Sequence, residues 1–318
     1  MSSQNNNKNT TKEKGQSLWA DGWRRLKRRK FAMFCLGIIV IYFGLAGFVW
    51  FAEMFNLDIS LIQYDETVAE SYAEPGAEPL EGHSAISTIA GADFLGRSVL
   101  RATIYGAKVS LTVALFASVL SVLIGVPLGA IAGYFGGVVD EFIVWLYSTL
   151  STIPYLILMM AFALVLKDKT VFGMKIAGST TVYLAMGLTS WVGICRLIRG
   201  EIIKRKESEY VLAARALGAR NHRIIFSHLI PNVFHIVIIT FSIRFVAFIH
   251  AEVILSFLGL GDPDKPSWGN MISLAKDELS RGCWWQMTSA TIAIAIISLA
   301  LNIFGDALRD SLDPKLRT

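Results

Sequence analysis

With 318 residues, 53% of them hydrophobic and only 17% charged, the chain is too apolar for an ordinary soluble protein. Its apolar residues gather into runs of about 20 or more, the length that spans hydrocarbon, so the reading is an all-α polytopic membrane protein. The formal charge of +5 comes from lysines and arginines clustered in particular loops, which marks sidedness in a membrane and argues against nucleic-acid binding.

In chain order, residues 1–16 are polar and rich in Asn, Thr and Lys, and are expected to be disordered. Ser17 can cap a short amphipathic helix with Leu18, Trp19, Trp23 and Leu26 on its apolar side. Arg24, Arg25 and the run 27–30 precede a first spanning helix over 31–55, too long for a signal peptide and without a small-residue cleavage site. The segment 56–106 opens acidic, carries Pro75 and Pro79, and by the positive-inside rule lies outside. Five further spans are predicted at 107–134, 142–166, 176–195, 232–257 and 284–304. Arg196, Arg199, Lys204, Arg205, Lys206, Arg215, Arg220 and Arg223 then share one internal loop, and Arg309, Lys315 and Arg317 put the tail 309–318 inside. Lys167, Lys169 and Lys175 are a mild exception. The reading is six transmembrane helices with both termini cytoplasmic. Cys35, Cys195 and Cys283 lie far apart without metal-ligand spacing and are expected to pack.

Within the spans, Gly125, Gly129 and Gly133 put a smooth face on one side of the second helix, where another backbone can approach closely. That face serves either packing within the chain or a contact that slides during transport. Pro127 and Pro154 are expected to bend their helices. Ionisable groups in a membrane are costly and face protein or water. Arg244 falls near mid-bilayer in the fifth span, with Phe248 and Glu252 following at steps of four. Arg244 either lines a polar path and faces an anionic group such as a peptide carboxylate, or makes a structural ion pair with Glu252 or a partner subunit.

The segment 206–231 is a polar, partly basic island between two apolar runs, inside a cytoplasmic loop over 199–231. Ser208 can cap a helix with Glu209 in its first turn; Tyr210, Ala214 and Leu217 recur at helical spacing and Gly218 supplies the stop. At about 14 Å this helix is too short to cross a bilayer, and it is expected to lie at the membrane surface, offered to a cytosolic partner.

Catalytic constellations are missing, and so is any Gly-Lys followed by Ser or Thr, so the chain has no recognisable means of hydrolysing ATP. No metal site is expected: His222, His228 and His235 are close in sequence, but their helical angles do not superpose.

The island resembles the Glu-Ala-Ala loop of membrane subunits of bacterial ABC importers: Ala213, Ala214, Gly218 and Pro231 keep its spacing, with Leu212 where the pattern has Glu. Residues 91–97 (GADFLGR), 132–137 (AGYFGG) with Asp140, 191–196 with Arg199, 256–261 (SFLGLG), 266–269 (PSWG) and 302–314 (NIFGDALRDSLDP) are similar to motifs of dipeptide and oligopeptide permeases. Ala92 and Ser98 depart from that pattern. Their order and spacing identify the chain as a member of the binding-protein-dependent permease family, resembling its C-type subunits.

The resemblance implies the type I ABC importer permease fold in the bacterial inner membrane. It implies a heterodimer with a B-type permease subunit, two ABC ATPase subunits holding ATP and Mg at the cytoplasmic face, and an extracytoplasmic protein delivering peptide. Glu209, Tyr210, Ala213, Ala214, Arg215 and Gly218 would then couple to the ATPases, while the chain itself binds no cofactor and is no enzyme. The external segment would be a docking surface or lid for the binding protein, or simply a tether. Nickel and dipeptide permeases share these motifs. A secondary transporter and a non-transporting scaffold or receptor are the alternatives from other classes.

Overall fold

Apolar runs of this length satisfy their backbone groups in hydrocarbon only as helices or closed barrels, and this chain forms helices. The structure, a computed structural model, describes residues 18–312 apart from 58, 60–62 and 172. The elements run α1 (Leu18–Arg28), α2 (Lys30–Met54), α3 (Val99–Phe135), α4 (Gly137–Ser151), α5 (Tyr155–Leu166), α6 (Ser179–Arg205), α7 (Glu209–Ala216) and α8 (Asn221–Arg223). After a π-helical stretch over Ile224–Leu229 come α9 (Ile230–Phe257), α10 (Trp268–Leu279) and α11 (Trp285–Leu312). A two-residue antiparallel hairpin, β1 (Thr170–Val171) and β2 (Met174–Lys175), interrupts the helical order between α5 and α6. Five helical stretches are long and apolar enough to cross a membrane, and α4 with α5 makes six if the bent pair is one span.

The closest packing in the bundle is α3 against α6, and the glycine stripe is the reason. A Cβ on Gly125 would lie 2.7 Å from the Trp191 carbonyl oxygen, on Gly129 2.5 Å from that of Cys195, and on Gly133 2.7 Å from that of Arg199. Three positions four apart on one helix therefore meet three positions four apart on the other, backbone against backbone. Beyond the seam, around Leu111 and Ala117 of α3, one buried cluster gathers Met186, Ile249, Trp268 and Ile297 from α6, α9, α10 and α11. Cys35, Cys195 and Cys283 are all buried free thiols.

The structure corrects several expectations. The third span, read over 142–166 with a bend at Pro154, does bend there, and sharply enough to become two helices at 93° across Thr152–Pro154, because Pro154 removes a donor behind two polar residues. Pro127, by contrast, sits inside an unbroken α3. The second span begins at Val99, not at 107, so the segment 56–106 gives up its last residues to helix. Ser98 caps it, its hydroxyl accepting from the Arg101 amide. Arg101 and Lys108 disguised that start, and both are paired: Arg101 with Glu66 at 2.9 Å, Lys108 with Glu53. At 37 residues, or about 55 Å, α3 outruns the hydrocarbon thickness of about 30 Å. The tail 309–318 is helical as far as Leu312. α10 was not foreseen at all. The Ser17 cap, the polar segment 1–16, Lys315 and Arg317 lie outside the described residues, as do the side chains of Leu18 and Trp19. Further along α1, Leu26 is buried against Ala307 of α11 and Trp23 is exposed.

Candidate functional site: the surface helix and the cavity at the broken span

The Glu209–Ala216 helix ends as its sequence demands. Leu217 is the C-cap and Gly218 adopts φ +80°. The Ala219 amide donates to the Ala214 carbonyl and the Gly218 amide to that of Arg215, each at 3.0 Å, the paired bonds of a Schellman turn. At the start the expectation fails: the Ser208 side chain makes no cap, and its backbone carbonyl instead accepts from Val211 and Leu212.

The buried face also differs from the one predicted. Val211 and Ala214 point inward, while Tyr210 and Leu212 are exposed and Leu217 is 88% exposed. The run of apolar spacing was real but shared between two faces, which periodicity over eight residues cannot separate. Inward, Val211 and Ala214 join Ile198 and Ile202 of α6, Ala130 and Tyr134 of α3, and Ile225, Leu229 and Val233 leading into α9. Two polar contacts reinforce the seat: Arg215 lies over the Tyr134 ring at 5.8 Å, and the Tyr134 hydroxyl donates to Asn221 at 3.0 Å. Glu209 and Ala213 face outward. A short helix is thus bolted to three spanning helices and turns a row of apolar side chains away from them.

Arg244 stands in α9 beside the break in the third span. It lines a cavity of about 410 Å³ with Ser151, Pro154 and Tyr155 from the broken span and Ser190 and Gly193 from α6. Its Nη1 donates to the Ser190 carbonyl at 3.2 Å, and the Tyr155 and Ser190 hydroxyls meet at 2.8 Å. A side chain at Gly193 would meet the guanidinium and push the Arg244 side chain from its place at the cavity wall. The predicted pairing of Arg244 with Glu252 is not made. Glu252 is 1% exposed and faces elsewhere, accepting from Ser256 at 2.7 Å. Two turns of helix separate the residues, and α9 packs against different neighbours at each. Among the described residues Arg244 has no carboxylate partner, leaving a cation at a cavity wall.

Tyr155 and Ser190 were missed from sequence, and Gly193 was read only as part of the 191–196 motif. The legible signal was Ser151-Thr152 just before Pro154, a polar break inside an apolar run. Among the described residues no group of His, Cys, Asp or Glu is arranged to hold a metal ion. His222 is exposed and His228 half-buried.

A bundle of long apolar helices with a broken span, a polar cavity at the break and a surface helix seated on the same elements defines a membrane permease subunit. Residues 125–318 match the family described as binding-protein-dependent transport system inner membrane component, and the chain belongs to that family. Residues 17–72 match the N-terminal transmembrane domain of oligopeptide transport permease C. The dipeptide transport system permease protein DppC of Bacillus subtilis (strain 168) is 34% identical over 314 residues, covering 98% of this chain and 91% of that one. The oligopeptide transport system permease protein OppC of the same strain is 35% identical, covering 96% and 92%. The glutathione transport system permease protein GsiD of Pectobacterium atrosepticum is 30% identical, covering 94% and 92%. The fold is shared with a chain of the inward-facing MetNI methionine ABC transporter, with TM-score 0.53 and 15% identity over 66% of this chain and 96% of that one.

Proposed function

We propose that the chain is the C-type permease subunit of an ATP-driven peptide importer, with both termini in the cytoplasm. It forms a translocation path with a homologous B-type subunit, receives peptide from an extracytoplasmic binding protein, and is driven by two ABC ATPases that hold ATP and Mg. The observation that carries this reading is α7: its Val211–Ala214 face is locked to α3, α6 and the start of α9, while Tyr210, Leu212 and Leu217 are turned outward. An apolar row of this kind suits a groove on a partner protein. Leu212, where related loops carry Glu, makes the contact apolar at that point, with Glu209 and Arg215 flanking it.

Closure of the ATPases would push α7, and the push would reach α9 through Leu229 and Val233 and reach α3 through Tyr134. The two permease halves would then rock between openings, as alternating access requires. Arg244 belongs on the path because it is a cation at a cavity wall without a carboxylate partner. A guanidinium there with no carboxylate partner suits the carboxylate of a peptide and opposes a bare metal cation, which favours peptide over nickel. The relatives named for dipeptides, oligopeptides and glutathione agree with that choice.

The test is uptake by the assembled complex of peptides with free or amidated carboxyl ends, before and after Arg244→Gln. The substitution is expected to reduce uptake of the free-carboxyl peptide about tenfold and to spare the amide. Equal losses for both would sink the carboxylate role. Accumulation without nucleotide would point instead to a secondary transporter.

A further inference from the structure

At the end of the bundle opposite α7, the loop after α9 and the hairpin before α6 enclose a second cavity, of about 500 Å³. Three carboxylates, Asp168, Asp262 and Asp264, stand at it with Lys167. Asp168 is already committed to Lys175 at 2.9 Å. Set against the ammonium groups of Lys167 and Lys175, the three carboxylates leave one negative charge unbalanced.

Asp262 is held firmly. Its Oδ1 accepts from the Asp264 amide at 3.1 Å, and its backbone carbonyl, with that of Lys265, accepts from the Asn270 side chain. On its other flank the carboxylate rests on Gly178, where φ is +56° and a Cβ would come within 2.5 Å of Oδ2. Oδ2 itself makes no hydrogen bond or ion pair among the described residues. Beside it, Thr181 in the first turn of α6 also lines the cavity; it is 1% exposed, and its hydroxyl has no partner among the described residues. A helical threonine normally bonds a carbonyl one turn back, so the unpaired Thr181 hydroxyl leaves hydrogen-bonding capacity open to a ligand at the cavity wall.

We infer that this cavity binds a primary ammonium, the amino terminus of the transported peptide. An ammonium has three donors and no acceptor, and Thr181 Oγ1 and the Asp262 and Asp264 carboxylates are acceptors. No group of three His, Cys, Asp or Glu side chains here is arranged for a divalent ion, which a monovalent amine does not need. The inference rests on the peptide reading above and extends it to the substrate's other end. The Asp262 carboxylate rests on Gly178 at the start of α6 and the Arg244 guanidinium reaches Ser190 and Gly193, or about 18–22 Å further along its axis. An extended peptide covers that distance in about six residues. A hexapeptide with both ends free would thus point its amine at the Asp262 loop and its carboxylate at Arg244.

The experiment places a thiol at Ala177, an exposed residue of the cavity wall, in the assembled transporter; the three native cysteines are buried. Maleimide labelling of Ala177→Cys is followed while hexa-alanine or N-acetyl-hexa-alanine is added. Hexa-alanine is expected to protect at about tenfold lower concentration than its acetylated form, and Asp262→Asn with Asp264→Asn, or Thr181→Val, should erase the difference. Equal protection by both peptides, no protection by either, or protection by calcium alone would overturn the inference. The carboxyl-amidated peptide, run in parallel with Arg244→Gln, makes failure at one end distinguishable from failure at the other.

Discussion

Arg199 on α6 grips Asp140 on α4 at two points, Nε to Oδ1 at 2.5 Å and Nη2 to Oδ2 at 2.6 Å. The pair lies just past Gly136 and Gly137, both at positive φ, where the chain leaves α3. It therefore fixes the direction in which the broken span departs. Both groups are mostly shielded, so removing one partner strands the other. Asp140→Asn and Arg199→Gln are each expected to cost about 1–3 kcal/mol, with the double substitution costing less than the sum. A thermal-melt cycle on detergent-solubilised protein checks this, and additive losses would mean the pair is not coupled.

Gly129→Ala forces a methyl to within 2.5 Å of the Cys195 carbonyl, and backbone cannot swing aside as a flexible side chain can. The seam between α3 and α6 must widen, at a cost of about 1–3 kcal/mol. Gly200→Ala, on the same partner helix with nothing within 4 Å, is the control and should be neutral or slightly stabilising. Matching melts for the two variants would rule out the seam as a tight contact.

Gly218→Ala tests the end of the surface helix, since φ +80° is unfavourable for alanine by about 1–2 kcal/mol. The helix end should fray without disturbing the spans, visible as faster amide exchange at Leu217–Ala219 alone.

Glu278 in α10 gives a pH dependence. It is 4% exposed, and neither carboxyl oxygen has a hydrogen-bond partner among the described residues. Burial pushes its carboxyl up from the ordinary value, and Asp93 adds to the push against Arg281 and Arg97. A folded-state value above the unfolded one means the folded chain holds the proton more tightly. The contribution of Glu278 to stability is therefore greatest below the unfolded value of about 4.3 and falls as pH rises through the folded one. Glu278→Gln should flatten that slope and raise the melting temperature at neutral pH; an unchanged slope would show that Glu278 does not set it.

The spans were legible because runs of about 20 apolar residues have only one way to sit in hydrocarbon. What stayed hidden has a physical cause in each place. The start of α3 was masked by Arg101 and Lys108, whose charges are cancelled by Glu66 and Glu53 from distant segments. α10 is twelve residues of mixed character, held by contacts that only the fold creates: the Trp268 indole donates to the Thr103 carbonyl at 3.1 Å and its amide to Ser110 at 3.3 Å. At the sites, spacing identified α7 and singled out Arg244. The inward face of α7 and the separation of Arg244 from Glu252 depend on which neighbours pack against each turn.

If α7 passes ATP-driven motion to the spans, Leu217 is the side chain through which it should be most easily broken. Being 88% exposed, Leu217 can become Glu without a folding cost, so Leu217→Glu should assemble with a native melting temperature. ATP-dependent peptide accumulation in proteoliposomes carrying the full complex is expected to fall about tenfold or more. Accumulation at the native rate, with the complex intact, would contradict the account.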